Sequence, residues 1–208
     1  MSSYLEQLFD DKNIIARVKD RMPKMFQLAE LESSRAGKIG MEVGTARERI
    51  IAALLMYKYG EENVGSDLPI TESEADVSLF SEKISIKTIT GNLSGVKLAW
   101  TVDKQKAREF FDKYYPDIDM LLTQIIWGST GGFIYIPKIV QQDVYKKLGK
   151  NKYFKLPKAK TNPRGVELTK RALELMVNDK RSNKIDILWT RGELSYNAYD
   201  RWIELWKE

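Results

Sequence analysis

In the N-terminal part of the chain, apolar positions recur three and four residues apart, as they do on the buried face of a helix. This pattern predicts two helices within residues 3–36, and Pro23 is expected to mark the break between them. A longer helix is predicted to begin at Glu42 or Thr45 and to end before Gly60. The first part of the chain is therefore expected to be helical.

The spacing then changes from a helical period to strict alternation. Residues 75–80 and 83–89 alternate apolar and polar side chains, which predicts two strands joined by a tight turn near Ser81 and Glu82. Further elements are predicted as strands at 96–102, 120–127, 133–136 and 185–189 and helices at 103–115, 139–148, 165–177 and 196–206. Helices followed by a strand meander and then by mixed elements predict an α/β fold, in which helices cover one mostly antiparallel or mixed sheet.

Two amino acids are missing from the 208 residues, cysteine and histidine. Without cysteine, disulfides, cysteine zinc sites and thiol nucleophiles are excluded. Without histidine, Ser-His-Asp triads and imidazole acid–base chemistry are excluded as well. Any catalysis must therefore use carboxylates, lysine, tyrosine, serine or a metal held by oxygen ligands.

The sequence shows no targeting signal. Its N-terminal residues lack the apolar core of a secretory signal, and no apolar run approaches the length of a membrane helix. The protein is expected to be soluble and cytoplasmic, without a membrane partner, and the missing cysteines fit that location.

The net charge of +5 is concentrated in one segment, residues 146–171. Ten basic residues and one acid give this segment +9, which leaves −4 for the rest of the chain. A basic segment on a near-neutral body is typical of proteins that bind a polyanion. A solvated loop that aids solubility is the alternative, and a membrane surface is less favoured because no apolar face accompanies the charges.

A carboxylate and a lysine lie on the two strands of the predicted hairpin. Asp76 and Lys87 are polar residues within apolar runs, which a buried strand avoids unless the groups are paired or functional. Glu48, near the start of the preceding helix, could reach the same place. Mg²⁺-dependent phosphodiester hydrolysis requires this combination of a strand carboxylate, a lysine on the next strand and a second acid.

Each of these residues also has a purely structural interpretation. Asp76 and Lys87 would form an exposed cross-strand ion pair, which contributes roughly 0.2–1 kcal/mol. Thr45 and Glu48 are three residues apart, as in a capping box. The two roles of Glu48 are compatible, and the three residues together favour a nuclease.

Glu48 on a helix, Asp76 on a strand and Lys87 on the next strand resemble the active-site core of the PD-(D/E)XK nucleases, in particular the type II restriction endonucleases. The resemblance is firmest over residues 35–105. It implies an α/β fold with a restriction-endonuclease-like core, a central mixed β-sheet flanked by helices. The sequence departs from the family pattern at Ser85, where the family has a second strand carboxylate.

The resemblance also implies a role for each residue. Asp76 would ligate Mg²⁺ together with the carbonyl of Ile86, Glu48 would hold the metal or its water, and Lys87 would position the nucleophile. The enzyme would be a homodimer that cuts double-stranded DNA at a short palindromic CG-rich site, CGCG, and leaves blunt ends with 5′-phosphates. A DNA methyltransferase that protects host DNA is expected in the same system.

On this interpretation, residues 1–208 form a single endonuclease domain. The N-terminal helices would occupy residues 3–36, the catalytic core residues 42–136, and the basic DNA-binding segment residues 146–171. The five tryptophans are expected in the core or at the dimer interface, not in a base-stacking platform.

Met41 stands in a glycine-containing loop beside basic residues. As part of this resemblance it is expected to enter a base step as an apolar wedge; without it, a hydrophobic staple under the following helix would be favoured. The other residues expected to contact DNA are all basic: Arg35, Lys38, Lys97, Lys150, Lys152, Lys155, Lys158, Lys160 and Arg164.

Two other functions use the same features. A non-catalytic DNA-binding protein could use the basic segment, but carboxylates aimed at phosphates repel DNA unless a cation intervenes. A repair or junction nuclease would share the catalytic core and would select DNA by structure instead of sequence.

Overall fold

The computed structural model describes residues 3–35, 38–40, 42–66, 74–99, 104–156 and 165–207. The helices in these ranges are α1 (Tyr4–Asp10), α2 (Lys12–Glu32), α3 (Val43–Tyr59), α4 (Lys104–Lys113), α5 (Lys138–Leu148), α6 (Lys150–Tyr153), α7 (Lys170–Val177) and α8 (Asp200–Lys207). The strands are β1 (Ser34–Arg35), β2 (Lys38–Ile39), β3 (Val64–Gly65), β4 (Val77–Leu79), β5 (Glu82–Thr90), β6 (Lys97–Ala99), β7 (Asp119–Ile125), β8 (Thr130–Ile136), β9 (Phe154–Lys155), β10 (Val166–Leu168) and β11 (Asn183–Leu188). None of the helices in these ranges combines the length and the apolar character that crossing a membrane requires.

A mixed six-stranded sheet forms the centre of the fold, with the strand order β11-β8-β7-β5-β4-β3. Among its described strands only β5 and β7 run parallel, and the other neighbours are antiparallel. Alternate residues of β7 enter two different cores: Leu121 packs with α1, α2 and α3, while Met120 and Leu122 pack with α5 and α7. The predicted α/β architecture with a helix-flanked mixed sheet is thus confirmed.

The break between the first two helices lies at Asp11, not at Pro23. The carboxylate of Asp11 accepts the backbone N–H groups of Asn13 and Ile14 and thereby caps α2. Pro23 lies buried within α2. The prediction was wrong because burial of the α2 face in the core offsets the backbone cost of an interior proline, about 3 kcal/mol.

The predicted hairpin is present as β4 and β5. Its turn consists of Phe80 and Ser81, one residue earlier than predicted, and both have positive φ angles of 48° and 71°. Two successive residues with positive φ match the right-handed twist of the paired strands. The first strand begins at Val77, so Asp76 stands immediately before the paired ladder.

Two predicted elements differ in part from the structure. The strand predicted at 96–102 contributes β6 to a separate three-stranded sheet, β6-β10-β9, and not to the main sheet. The helix predicted at 165–177 begins only at Lys170, because Val166 and Leu168 alternate as buried strand residues and Thr169 then caps α7 by accepting the N–H of Ala172.

Candidate active site

Asp76 lies where the pairing between β4 and β5 ends, so the edge of β5 beside it is not covered by β4. Strand β5 continues past the point at which its pairing with β4 stops at Ile84. The backbone N–H of Ile86 therefore forms no hydrogen bond with β4. It donates instead to Oδ2 of Asp76 at 2.6 Å. The backbone N–H of Asp76 itself donates to the carbonyl of Ile84 at 3.0 Å, which fixes the chain on both sides of the carboxylate.

Lys87 reaches the same oxygen from the next residue of β5. Its Nζ lies 3.0 Å from Oδ2 of Asp76, and the hydroxyl of Ser85 lies 3.4 Å from that oxygen. The side chain of Lys87 is only 12% exposed and that of Asp76 22%. The interpretation of Asp76 and Lys87 as an exposed surface ion pair is therefore excluded, because both side chains are largely buried.

Glu48 on α3 lines the same cleft, which has a volume of about 570 Å³. The pKa of Glu48 is raised from 4.5 to about 7, mainly by burial and also by the nearby charge of Asp76, while Lys87 opposes the rise. The capping-box interpretation of Glu48 is wrong. Helix α3 begins at Val43 and its N-cap is Glu42, which makes no side-chain capping bond, so Thr45 already lies inside the helix.

Glu74 is a further carboxylate of this region that the sequence analysis missed. It accepts a hydrogen bond from the buried hydroxyl of Tyr114, and burial is the main cause that raises its pKa from 4.5 to about 7. It also interacts electrostatically with Lys87 and Asp76. Its place two residues before Asp76 was a signal for a shared location, but the partner Tyr114 is forty residues away in sequence.

The small sheet β6-β10-β9 forms the opposite wall of the cleft. Lys97 on β6 and Glu167 on β10 are register partners that line it, and Lys155 on β9 lies 3.9 Å from Glu167. Gly95 lines it as well, with φ of +134°, and a Cβ there would lie 2.6 Å from the carbonyl oxygen of Leu168. Only glycine allows the backbone to pass so close to β10.

Comparison with known proteins shows the family to which a chain with this cleft belongs. The family model described as restriction endonuclease ThaI matches residues 8–208. The chain belongs to the ThaI restriction endonuclease family. A solved structure described as a restriction endonuclease in complex with substrate DNA is 55% identical to the chain, covers 99% of both chains and superimposes with a TM-score of 0.93. The comparison with curated proteins gave no match.

The protein is therefore a type II restriction endonuclease, as the resemblance implied. The structure brings together the three residues predicted to be catalytic, Glu48, Asp76 and Lys87, and Ile86 lines the cleft beside them. It also places Lys97, one of the predicted DNA contacts, in the cleft wall.

The other predicted DNA contacts are more dispersed. Lys38, Lys152 and Lys155 are exposed, whereas Nζ of Lys150 donates to the carbonyl of Asp112 at 2.6 Å and lies 5.3 Å from the centre of the Phe111 ring. Arg35 lies in β1, and only its backbone is described. Four of the predicted residues lie outside the described residues: Met41, Lys158, Lys160 and Arg164.

The residues of the cleft fit a hard divalent cation. Asp76 and Glu48 offer carboxylate oxygens and Ile86 a backbone carbonyl, and oxygen is the ligand that Mg²⁺ prefers. Within the described residues there is no cluster of three or more acidic side chains spaced to hold a metal. Mg²⁺ commonly takes one or two protein carboxylates and completes its shell with water and substrate phosphate, so two carboxylates suffice.

Proposed function

We propose that this enzyme hydrolyses phosphodiester bonds of double-stranded DNA at a specific short site, with Mg²⁺ as its cofactor and with Glu48, Asp76 and Lys87 as catalytic residues. One observation carries the proposal. Asp76 accepts hydrogen bonds from the backbone N–H of Ile86 and the ammonium of Lys87, in a cleft that the half-buried Glu48 also lines. Such an excess of acid in a site for a polyanion requires a bound cation.

Asp76, Glu48 and the carbonyl of Ile86 are the groups we assign to the metal. When bound there, Mg²⁺ supplies positive charge that neutralises the phosphate and polarises its oxygen. The backbone N–H of Ile86 keeps Asp76 in a fixed orientation, and this lowers the reorganisation needed when substrate arrives.

Lys87 is the group we assign to the attacking water. Its ammonium lies 3.0 Å from Oδ2 of Asp76, the carboxylate that we assign to the metal, and this supports a position beside the reacting phosphate. In the proposed reaction the water oxygen bonds to phosphorus and one of its protons passes to solvent. The bond from phosphorus to the 3′-oxygen breaks, and the leaving 3′-oxygen takes a proton from solvent. Lys87 orients the water and stabilises the developing negative charge, and the products are a 5′-phosphate and a 3′-hydroxyl.

DNA would reach this cleft along its basic wall. The solved relative at 55% identity was obtained with substrate DNA, which supports a DNA site on the present chain. We assign phosphate contacts to Lys97 and Lys155 at the small sheet and to the other basic residues predicted above. Met41 is assigned to the base step as an apolar wedge.

We further propose that the recognition site is the palindrome CGCG, cut to blunt ends by a homodimer whose twofold axis matches that of the site. These details rest on the resemblance to the family. A methyltransferase that modifies the same site is expected in the host, since an unprotected genome would be cut.

A set of short DNA duplexes tests this proposal. One duplex carries a single CGCG site, a second carries GCGC in the same flanks, and a third carries a branched junction without CGCG. We expect Mg²⁺-dependent cleavage of the first duplex alone, and sequencing of its ends should show blunt 5′-phosphorylated products. Cleavage of the junction alone would instead indicate a structure-specific nuclease, and binding without cleavage of any duplex would indicate a DNA-binding protein.

A further inference from the structure

Helix α8 is an amphipathic helix whose apolar side chains face solvent. None of its residues is buried. Trp202 is 56% exposed, Ile203 46%, Leu205 49% and Trp206 91%, and Tyr199 just before the helix is 70% exposed. An exposed apolar surface of this kind marks an interaction site, because singly exposed apolar residues are common but contiguous ones are not.

The exposed residues form one stripe. Tyr199, Trp202, Ile203 and Trp206 follow the spacing i, i+3, i+4, i+7, which places them on a single face of a helix. DNA is a poor candidate for this face, because Asp200 and Glu204 balance Arg201 and Lys207 within the helix. The stripe therefore fits an apolar protein surface.

The charges beside the stripe are self-complementary. Asp200 and Lys207 are seven residues apart, so they lie on the same flank of the stripe at opposite ends of the helix. If two copies of α8 pack antiparallel, the same flanks meet, and Asp200 of one copy faces Lys207 of the other at both ends. A twofold arrangement requires this kind of reciprocal contact.

We propose that α8 is a dimerisation helix, whose apolar stripe packs antiparallel against α8 of a second copy of this chain. The proposal rests on the proposed function, since a palindromic site calls for a twofold dimer. The exposed parts of the four side chains of the stripe amount to roughly 500 Å² per copy, given about 150–250 Å² for a whole aromatic side chain. This is the larger share of the ~800 Å² that each partner buries in a standard interface.

Charge reversal on the full-length protein tests the pairing. In Asp200→Lys or Lys207→Asp alone, like charges meet at both ends of the helix pair, so we expect the dimer dissociation constant to rise at least about tenfold in sedimentation equilibrium. Mixing the two single variants in equal amounts should restore the dimer, because both lysines of the first variant then face the two aspartates of the second. Dimers of both single variants as stable as the wild type would overturn the proposal, as would a monomeric wild type or a mixture that stays monomeric.

The double variant, Asp200→Lys with Lys207→Asp, separates pairing from helix stability. It places a cation at the helix N-terminus and an acid at its C-terminus, which disfavours the helix. Recovery of the dimer would therefore come from the pairing between copies, and a loss greater than that of either single variant would contradict the proposal.

Two further variants complete the test. Trp206→Ala should weaken the dimer. Ile139→Ala is the control, because it removes an exposed apolar residue (47%) on α5, and it should not weaken the dimer. Equal effects of the two variants would overturn the proposal. Lys87→Ala should remain dimeric while it loses cleavage. A failure of the α8 interface is thereby distinguished from a failure of the proposed chemistry.

Discussion

Arg47 and Glu48 are neighbours on α3, yet each belongs to a different cluster of charges. Arg47 is buried and donates to Glu30 at 2.6 Å and to Thr90 at 3.3 Å. Glu30 also accepts the indole N–H of Trp127 at 2.9 Å and the guanidinium of Arg191 at 2.5 Å. Every charge in this first cluster meets an opposite charge from the same chain.

Glu48 belongs to a cluster in which acid predominates. It shares its surroundings with Asp76, and Lys87 is the cation that opposes the rise in the pKa of Glu48. Glu74 adds a further carboxyl that also interacts with Lys87. The difference is that each charged group of the first cluster contacts an opposite charge of the same chain, whereas the second cluster has more carboxyl groups than cations, and we propose that a divalent cation supplies the missing positive charge.

The largest expected effect is the loss of cleavage in Asp76→Asn. The change removes the negative charge that we assign to the metal, so the cleavage rate should fall by at least about 10³-fold, or ~4 kcal/mol in activation free energy. Single-turnover cleavage of a CGCG duplex measures it. Asp186→Asn on β11, an exposed aspartate, is the matched control and should retain its rate. Equal rates for the two variants would contradict the metal role.

Arg47→Met should cause the largest loss of stability. Among the described residues it leaves the buried Glu30 with only the half-exposed Arg191 as a cationic partner, so the free energy of unfolding should fall by about 3–5 kcal/mol in urea. Arg49→Met on the same helix is the control, because Arg49 is exposed. If both variants unfold at the same urea concentration, the first cluster is not a stabilising network.

Glu48→Gln should change how stability depends on pH in the metal-free protein. The pKa of Glu48 is about 7 in the folded state against 4.5 ordinarily, so the folded state holds its proton more tightly and stability falls as pH rises from about 4.5 to 7. The variant should avoid a loss of about 2–3 kcal/mol between pH 4 and pH 8.

Urea unfolding with a chelator present at both pH values measures this difference. Glu62→Gln, at an exposed position, should follow the wild-type curve. A Glu48→Gln curve that also follows the wild type would show that burial and the charge of Asp76 do not raise the pKa of Glu48 as described here.

The smallest effect is expected for Arg191→Met. Its guanidinium pairs with Glu30 but its side chain is 47% exposed, and Glu30 keeps Arg47 as a buried partner. Because solvent screens an exposed charge, the unfolding free energy should fall by about 1 kcal/mol or less. A loss as large as that of Arg47→Met would mean that the two arginines are equivalent partners of Glu30.

The cleft could be predicted from sequence because its residues are local exceptions to strong patterns. Asp76 and Lys87 interrupt alternating strands, and the hairpin fixes their register once the turn is known to within one residue. Glu48 follows from the helix that precedes the hairpin. These positions follow from secondary structure that is local in sequence, and the hydrophobic pattern predicts such structure well.

The remaining features depend on contacts that are distant in sequence. The pairing of β6 with β10, about seventy residues apart, leaves no mark on the periodicity of either segment. The same holds for Tyr114 with Glu74 and for Arg191 with Glu30. Pro23 was misassigned because its conformational signal was overridden by burial in the core.

The central claim is that the Glu48–Asp76–Lys87 cleft cleaves DNA with a divalent cation. The most direct measurement is plasmid cleavage by wild type, Lys87→Ala and Lys83→Ala over a Mg²⁺ titration that begins with chelator. Lys83 lies on the same strand but outside the cleft lining, so it is a matched control. The account predicts discrete fragments that require Mg²⁺ and appear with wild type and Lys83→Ala but not with Lys87→Ala. Fragments formed without added metal, or formed equally by Lys87→Ala, would contradict it.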